Sequence, residues 1–148
     1  MPRRFLATVV TLSLILAVVT MAPTHATPGL GPCDLSPRTG ESVAHLMRRR
    51  IRCSVDRFGP IGGGAARAIC IAKRESGLDP RAESTTGRYL GLFQQSSKMW
   101  LGRYKAWTRA RWELSKNARN GRSNALVTIR MVRAAGGWKN AGWRVKGC

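Results

Sequence analysis

Seven acidic side chains, Asp34, Glu41, Asp56, Glu75, Asp79, Glu83 and Glu113, stand against 26 lysines and arginines in this chain of 148 residues. That scarcity allows elimination. A serine nucleophile would need a histidine base, and His45 is the only histidine beyond the first 26 residues. No serine lies in a nucleophile-elbow sequence. Cys33, Cys53, Cys70 and Cys148 include no Cys-x-x-Cys pair for zinc. In a small exported chain four cysteines are expected as two disulfides, with three pairings open, which also disfavours a thiol nucleophile. Carboxylate chemistry remains.

Glu75 is the acid whose setting differs. It follows Ala72 by three residues, Ile71 by four and Ala68 by seven, so it projects from the apolar side of a helix. It also falls in the last helical turn, where the negative end of the helix dipole opposes a further negative charge. Partial burial works in the same direction and raises the pKa. A carboxylic acid kept protonated near neutral pH is what a glycosidic oxygen needs in order to leave. The competing reading is a helix-end glutamate paired with Lys73, Arg74 or another arginine, and position alone weighs the two equally.

The neighbouring residues tip the balance. Glu75-Ser76-Gly77-Leu78-Asp79-Pro80, followed by Gly91-Leu92-Phe93-Gln94, resembles the lysozyme-like lytic transglycosylases known by their soluble lytic transglycosylase domain. In that family a helix ends in Glu-Ser, and a Gly-Leu-x-Gln segment follows after a loop. Asn124, at the head of a later helix, is similar to the asparagine of the family's third motif. The resemblance spans residues 61–135. It implies a mainly α, α+β lysozyme-like fold in which Glu75 is the catalytic acid/base. Glu75 would protonate the oxygen between N-acetylmuramic acid and N-acetylglucosamine, and the muramic acid's own 6-hydroxyl would then attack to give a 1,6-anhydro end. Ser76 would orient Glu75 or the substrate's acetamido group. Gln94 and the backbone near Gly91 would line the sugar groove, with Leu92, Phe93 and Asn124 completing the substrate-binding set.

The chain departs from the family at one place, since the position of the third motif's tyrosine, counted from Asn124, is Met131. That leaves room for the neighbouring muramidases and resuscitation-promoting factors. Hydrolysis would ordinarily call for a second carboxylate about 5 to 9.5 Å from the first. Glu83 is the first candidate and Asp79 the second, although both also read as surface-loop residues. No metal and no organic cofactor is expected.

Several elements must position these residues. Val43, Leu46, Met47, Ile51 and Val55 recur at helical spacing, with Arg48, Arg49 and Arg50 on the other side, and Gly59-Pro60 ends the run. After Gly62-Gly63-Gly64, the residues Ala65, Ala68, Ile69, Ile71 and Ala72 predict a second helix closed by Gly77 as a left-handed cap. Asp79-Pro80 opens a polar loop to Arg88, and Tyr89 to Phe93 reads as a small β-hairpin strand or a tight extended turn. Short helices are expected at Ser96–Leu101 and Arg109–Ala118. A last helix carries Ala125, Leu126, Ile129 and Val132, with Ser123 as its N-cap and Gly136-Gly137 as its stop. Most of the five tryptophans are expected in the core, with Trp138 and Trp143 the least obvious core members.

The organisation around that domain is simple. Met1 to Arg4 is basic, Phe5 to Val19 is largely apolar, and Thr24 and Ala26 are small, the order of a secretory signal peptide over 1–26. The apolar run is shorter than the ~20 residues a spanning helix prefers, so no stable membrane insertion is expected after processing. Residues 27–40 are an irregular lead-in and 41–148 the lysozyme-like domain. Removing 1–26 takes two arginines and no acid from a net +19 and leaves +17. So basic a domain is drawn to polyanions, which for an exported protein means anionic cell-envelope polymers. The Arg48–Arg52 cluster sits on an amphipathic helix without aromatic neighbours, so no specific nucleic-acid partner is expected. The leading expectation is a secreted monomer that cleaves peptidoglycan glycan strands. A non-catalytic wall-binding module and a cationic antimicrobial or nucleic-acid-binding protein are the rivals from other classes.

Overall fold

The computed structural model describes residues 31–144 and 146–148, so the expected signal peptide lies outside the described residues. The chain folds as a mainly α-helical domain with one small antiparallel hairpin. Helix α1 spans Val43–Phe58 and starts where Ser42 Oγ accepts the His45 N–H at 3.2 Å. It buries Leu46, Met47, Ile51 and Val55, the apolar stripe of its sequence, while Val43 at the first turn stays 58% exposed. Helix α2 spans Gly64–Ser76 and buries Ala68, Ile71 and Ala72. Gly77 closes it with φ +65°, its N–H donating to the Lys73 carbonyl at 2.9 Å. Only a residue without Cβ takes that conformation at no steric cost.

Strand β1 (Tyr89–Leu90) pairs with β2 (Gln95–Ser96) in the register Tyr89 with Ser96 and Leu90 with Gln95, so residues 91–94 form the connecting turn. Helix α3 follows directly over Ser97–Trp107, and α4 covers Gly121–Ala134. Helix α4 is buried at every position from Ser123 to Ile129, so it is enclosed on all sides and forms the centre of the fold. It packs against α1 on one side and α3 on the other.

Three sequence expectations need correction. The helix expected at Ser96–Leu101 continues to Trp107. The helix expected at Arg109–Ala118 is only a 3-10 turn over Ala110–Trp112, ended by Glu113 at φ +49°. Beyond it the backbone carbonyls are engaged elsewhere. Tyr104 Oη donates to the Leu114 carbonyl, and Trp100 Nε1 donates to the Lys116 carbonyl at 2.6 Å. The N-cap of α4 is Asn120 rather than Ser123, because Asn120 Oδ1 accepts the Ser123 N–H at 3.0 Å. Asparagine and serine are equally good caps, and the earlier one gains an extra turn.

The two disulfides are Cys33–Cys53 and Cys70–Cys148. The first holds the irregular residues before α1 against that helix. The second carries the C-terminus back to α2. Among the described residues no helix is long and apolar enough to cross a membrane.

Candidate functional site

A groove of about 610 Å³ opens where five segments meet. The end of α2 contributes Arg74 and Glu75, and β1 contributes Tyr89. The turn and β2 contribute Gln94 and Ser96, α3 contributes Met99 and Arg103, and the C-terminal segment contributes Ala141 to Arg144. Among the described residues Glu75 is the only acid on it.

The other acids are engaged or lie elsewhere. Glu41 accepts from Arg49 Nη1 at 2.8 Å, Asp34 pairs with Arg122 at 3.3 Å, and Glu83 pairs with Arg119. Asp79 Oδ1 accepts the Arg81 N–H at 2.8 Å and sits beside a second depression of about 620 Å³, against the N-terminal half of α1. Asp56 and Glu113 are exposed and line no groove with Glu75. Glu83 is therefore absent from the groove, and so is Asp79, leaving no second carboxylate across from Glu75.

Glu75 is partly buried, and among the described residues no cation lies within salt-bridge distance of it. Burial pushes its carboxyl above the ordinary range, and the charge of neighbouring Arg74 only partly opposes that. Arg74, which also lines the groove, donates to the Lys146 carbonyl. The ion-paired reading of this helix-end glutamate does not hold.

The turn facing Glu75 is held by three residues of the sequence-predicted set. Gly91 has φ +74°, and a Cβ there would come within 2.3 Å of the Ala118 carbonyl oxygen and 2.6 Å of Asn124 Nδ2. Asn124 is fully buried beneath it: Oδ1 accepts the Phe93 N–H at 2.9 Å, and Nδ2 donates to the Ala118 and Leu90 carbonyls at 2.8 and 3.3 Å. Ser76 Oγ donates to the Leu92 carbonyl at 2.8 Å, with the Ala72 carbonyl of its own helix at 3.0 Å as the alternative acceptor. Its proton is thus engaged in joining α2 to the turn, and it reaches neither Glu75 nor the groove.

Leu92 and Phe93 were expected to contact substrate, and their side chains are instead wholly buried. Phe93 stacks on Trp138, with ring centroids 5.7 Å apart, and meets Trp143 edge-on at 6.5 Å. Trp143 Nε1 donates to the Phe93 carbonyl at 3.0 Å. Trp138 and Trp143 are 3% and 7% exposed, so the two tail tryptophans, the least obvious core members in the sequence, belong to the core. Gly91, expected to line the groove, is buried and contributes with Asn124 through the scaffold; neither lines the groove.

Gln94 does line it. Its φ is +46°, a conformation that costs energy in a residue with Cβ. The side chain is fixed by Nε2 donating to the Gly91 carbonyl at 3.0 Å and the Ala82 carbonyl at 3.3 Å. Both partners are acceptors, which fixes the amide orientation and leaves Oε1 free to accept from a ligand. Tyr89, 49% exposed, presents its phenol to the same space, and Met99 is 54% exposed.

Tyr89, Ser96, Met99 and Arg103 are among the groove residues that sequence reasoning did not select. A tyrosine was sought at position 131, where Met131 packs between two core clusters instead. Comparison with protein-family models, with curated proteins and with solved structures gives no match.

Proposed function

We propose that this protein is a secreted glycosidase that cleaves the β-1,4 bond between N-acetylmuramic acid and N-acetylglucosamine of bacterial peptidoglycan by lytic transglycosylation. The observation that carries this reading is Glu75: one partly buried carboxyl, raised in pKa, free of a counter-ion, and alone on an open groove. Such a group holds its proton until a leaving oxygen needs it.

The reaction balances with that single acid. Glu75 gives its proton to the glycosidic oxygen as the bond from the muramyl C1 breaks. Its carboxylate then takes the proton of the muramyl 6-hydroxyl as O6 bonds to C1, which closes the anhydro ring and consumes no water. The substrate's acetamido group stabilises the intermediate cation. Gln94 Oε1, fixed by its amide contacts, is placed to accept from a sugar hydroxyl or amide. Hydrolysis is the weaker reading, because Glu83 is spent on Arg119 and does not reach the groove. The basic, small-residue-bounded apolar segment at 1–26 and the two disulfides support export to the wall.

The test is to incubate the mature protein, beside Glu75→Gln, with purified sacculi and weigh the released fragments by mass spectrometry. Anhydro-muropeptides, one water lighter than reducing ones and made only by the wild type, are expected. Reducing ends would replace the mechanism by hydrolysis. Binding to sacculi without any product would replace the enzyme by a wall-binding module.

A further inference from the structure

The groove holds three arginines, and one is built differently from the other two. Arg74 is committed to the Lys146 carbonyl, and Arg144 is exposed. Arg103 is partly buried and its guanidinium is fixed from behind. Its Nη1 donates to Gln95 Oε1 at 2.6 Å, and Gln95 Nε2 donates in turn to Thr128 Oγ1 at 2.6 Å. Gln95 and Thr128 are both 0% exposed, so this relay is anchored in the centre of the fold, on helix α4. A neutral amide therefore holds the cation where an internal carboxylate would be the usual partner. Among the described residues no carboxylate oxygen lies within 4.0 Å of the Arg103 guanidinium. Desolvation with no compensating charge pushes the group below the usual arginine range.

A solvated basic face does not need such an arrangement. Among the described residues, other arginines pair with one of the few acids or donate to backbone carbonyls, and none of them is held by a buried side-chain amide. Arg103 is instead held in a concave site by Gln95 Oε1 on Nη1 and Met99 Sδ at 3.6 Å on Nη2, with its remaining guanidinium N–H groups left over, the geometry that receives a carboxylate in a forked, charge-assisted contact. We propose that Arg103 is the receptor for a carboxylate carried by the substrate, so that the groove selects acidic over neutral amino-sugar polymers. The inference rests on the glycan-cleaving reading. Two parts of a muramyl glycan carry this chemistry: the lactyl group where the peptide has been removed, and the stem peptide where it remains.

The experiment separates these sources, and separates this inference from the reaction itself. Binding is measured by titration calorimetry on the Glu75→Gln protein, which leaves the oligomers intact. The ligands are a peptide-free muramyl–glucosaminyl oligomer, the same oligomer with its lactyl carboxylates converted to amides, and a peptide-bearing oligomer. With Arg103 present, the acid form is expected to bind about tenfold more tightly than the amide. Adding Arg103→Gln is expected to abolish that preference while leaving affinity for the amide unchanged.

Gln95→Glu provides a second route, because it keeps the side-chain shape and gives Arg103 an internal counter-ion. It too should erase the preference. If the peptide-free acid and its amide bind alike but the peptide-bearing oligomer binds more tightly through Arg103, the carboxylate belongs to the stem. Equal affinity for all three oligomers, no binding of any, or an Arg103→Gln protein that loses all ligands alike with its near-UV dichroism intact would overturn the inference. Sacculus digestion is scored independently. Arg103-dependent carboxylate binding without product would keep this inference and remove the reaction; product without carboxylate preference would do the reverse.

Discussion

At the scale of single residues, the proposed chemistry turns on the raised pKa of Glu75. Burial raises its pKa, and Arg74 is prevented from cancelling the effect because its guanidinium is tied to the C-terminal segment. The consequence for stability has a definite sign. A carboxyl whose folded pKa lies above its unfolded value near about 4.3 binds more protons folded than unfolded within that window. Wild-type stability therefore falls as pH rises from the unfolded value through the folded one, and the loss stays constant above it. Glu75→Gln removes that penalty. It should melt at a higher temperature than wild type at pH 7 and at the same temperature at pH 3.5, as followed by circular dichroism. A substitution that lowers the melting temperature at both values would mean that the carboxyl is paired in the folded protein. Activity carries the complementary signature, an alkaline limb that declines as the proton is lost from Glu75.

At the scale of elements, Glu75 and the turn that faces it belong to different pieces, and short polar contacts join them. Ser76 is the joint between α2 and the 91–94 turn. Ser76→Ala should cost about 1 kcal/mol in chemical denaturation and reduce turnover by letting Gln94 drift. It should leave the alkaline limb of the pH profile in place, since Ser76 does not touch Glu75; a displaced limb would restore the orienting role expected from sequence. Asn124→Ala should be more severe, about 3 kcal/mol, because it strands the buried Phe93 N–H and Ala118 carbonyl together. The elements differed in how legible they were. Helices α1 and α2 were readable because their buried residues recur every three or four positions and glycine ends each run. The segment 109–118 was not, because Tyr104 and Trp100 on α3 capture carbonyls that a helix would have used internally. For the site, Glu75 and Gln94 were readable as short linear patterns. Tyr89 and Arg103 were not, because each reaches the groove from a separate element and only tertiary packing makes them neighbours. Leu92, Phe93 and Asn124 lay in the right motif, but burial gives them a supporting task.

At the scale of the whole molecule, one wall of the groove comes from the far end of the chain, and the fold holds it there by several means. Cys148 is bridged to Cys70 on α2, 78 residues away, while Arg67 Nε donates to the Cys148 carbonyl at 3.0 Å. Trp138 and Trp143 pack on Phe93, so the tail and the 91–94 turn share one aromatic cluster. The other bridge, Cys33–Cys53, closes a 20-residue separation, and neither of its cysteines lines the groove. Chain-entropy reasoning gives the two bridges similar weight for stability, about 4 and ~3 kcal/mol respectively, because closure entropy grows only logarithmically with loop length. Their consequences for function should nevertheless diverge. Replacing Cys70 and Cys148 together by serine frees the segment that carries Ala141 to Arg144. At a temperature where the protein remains folded, KM for soluble glycan should rise several-fold and tryptophan emission should shift red. The matching Cys33 and Cys53 double replacement should lower the melting temperature to a comparable degree with KM unchanged. If both pairs raised KM equally, the tail would be a passive end of the chain and the groove would be complete without it. If only the Cys70–Cys148 pair does so, the C-terminus is a structural wall of the site, which explains why Trp143, distant in sequence from Glu75, lines the same groove.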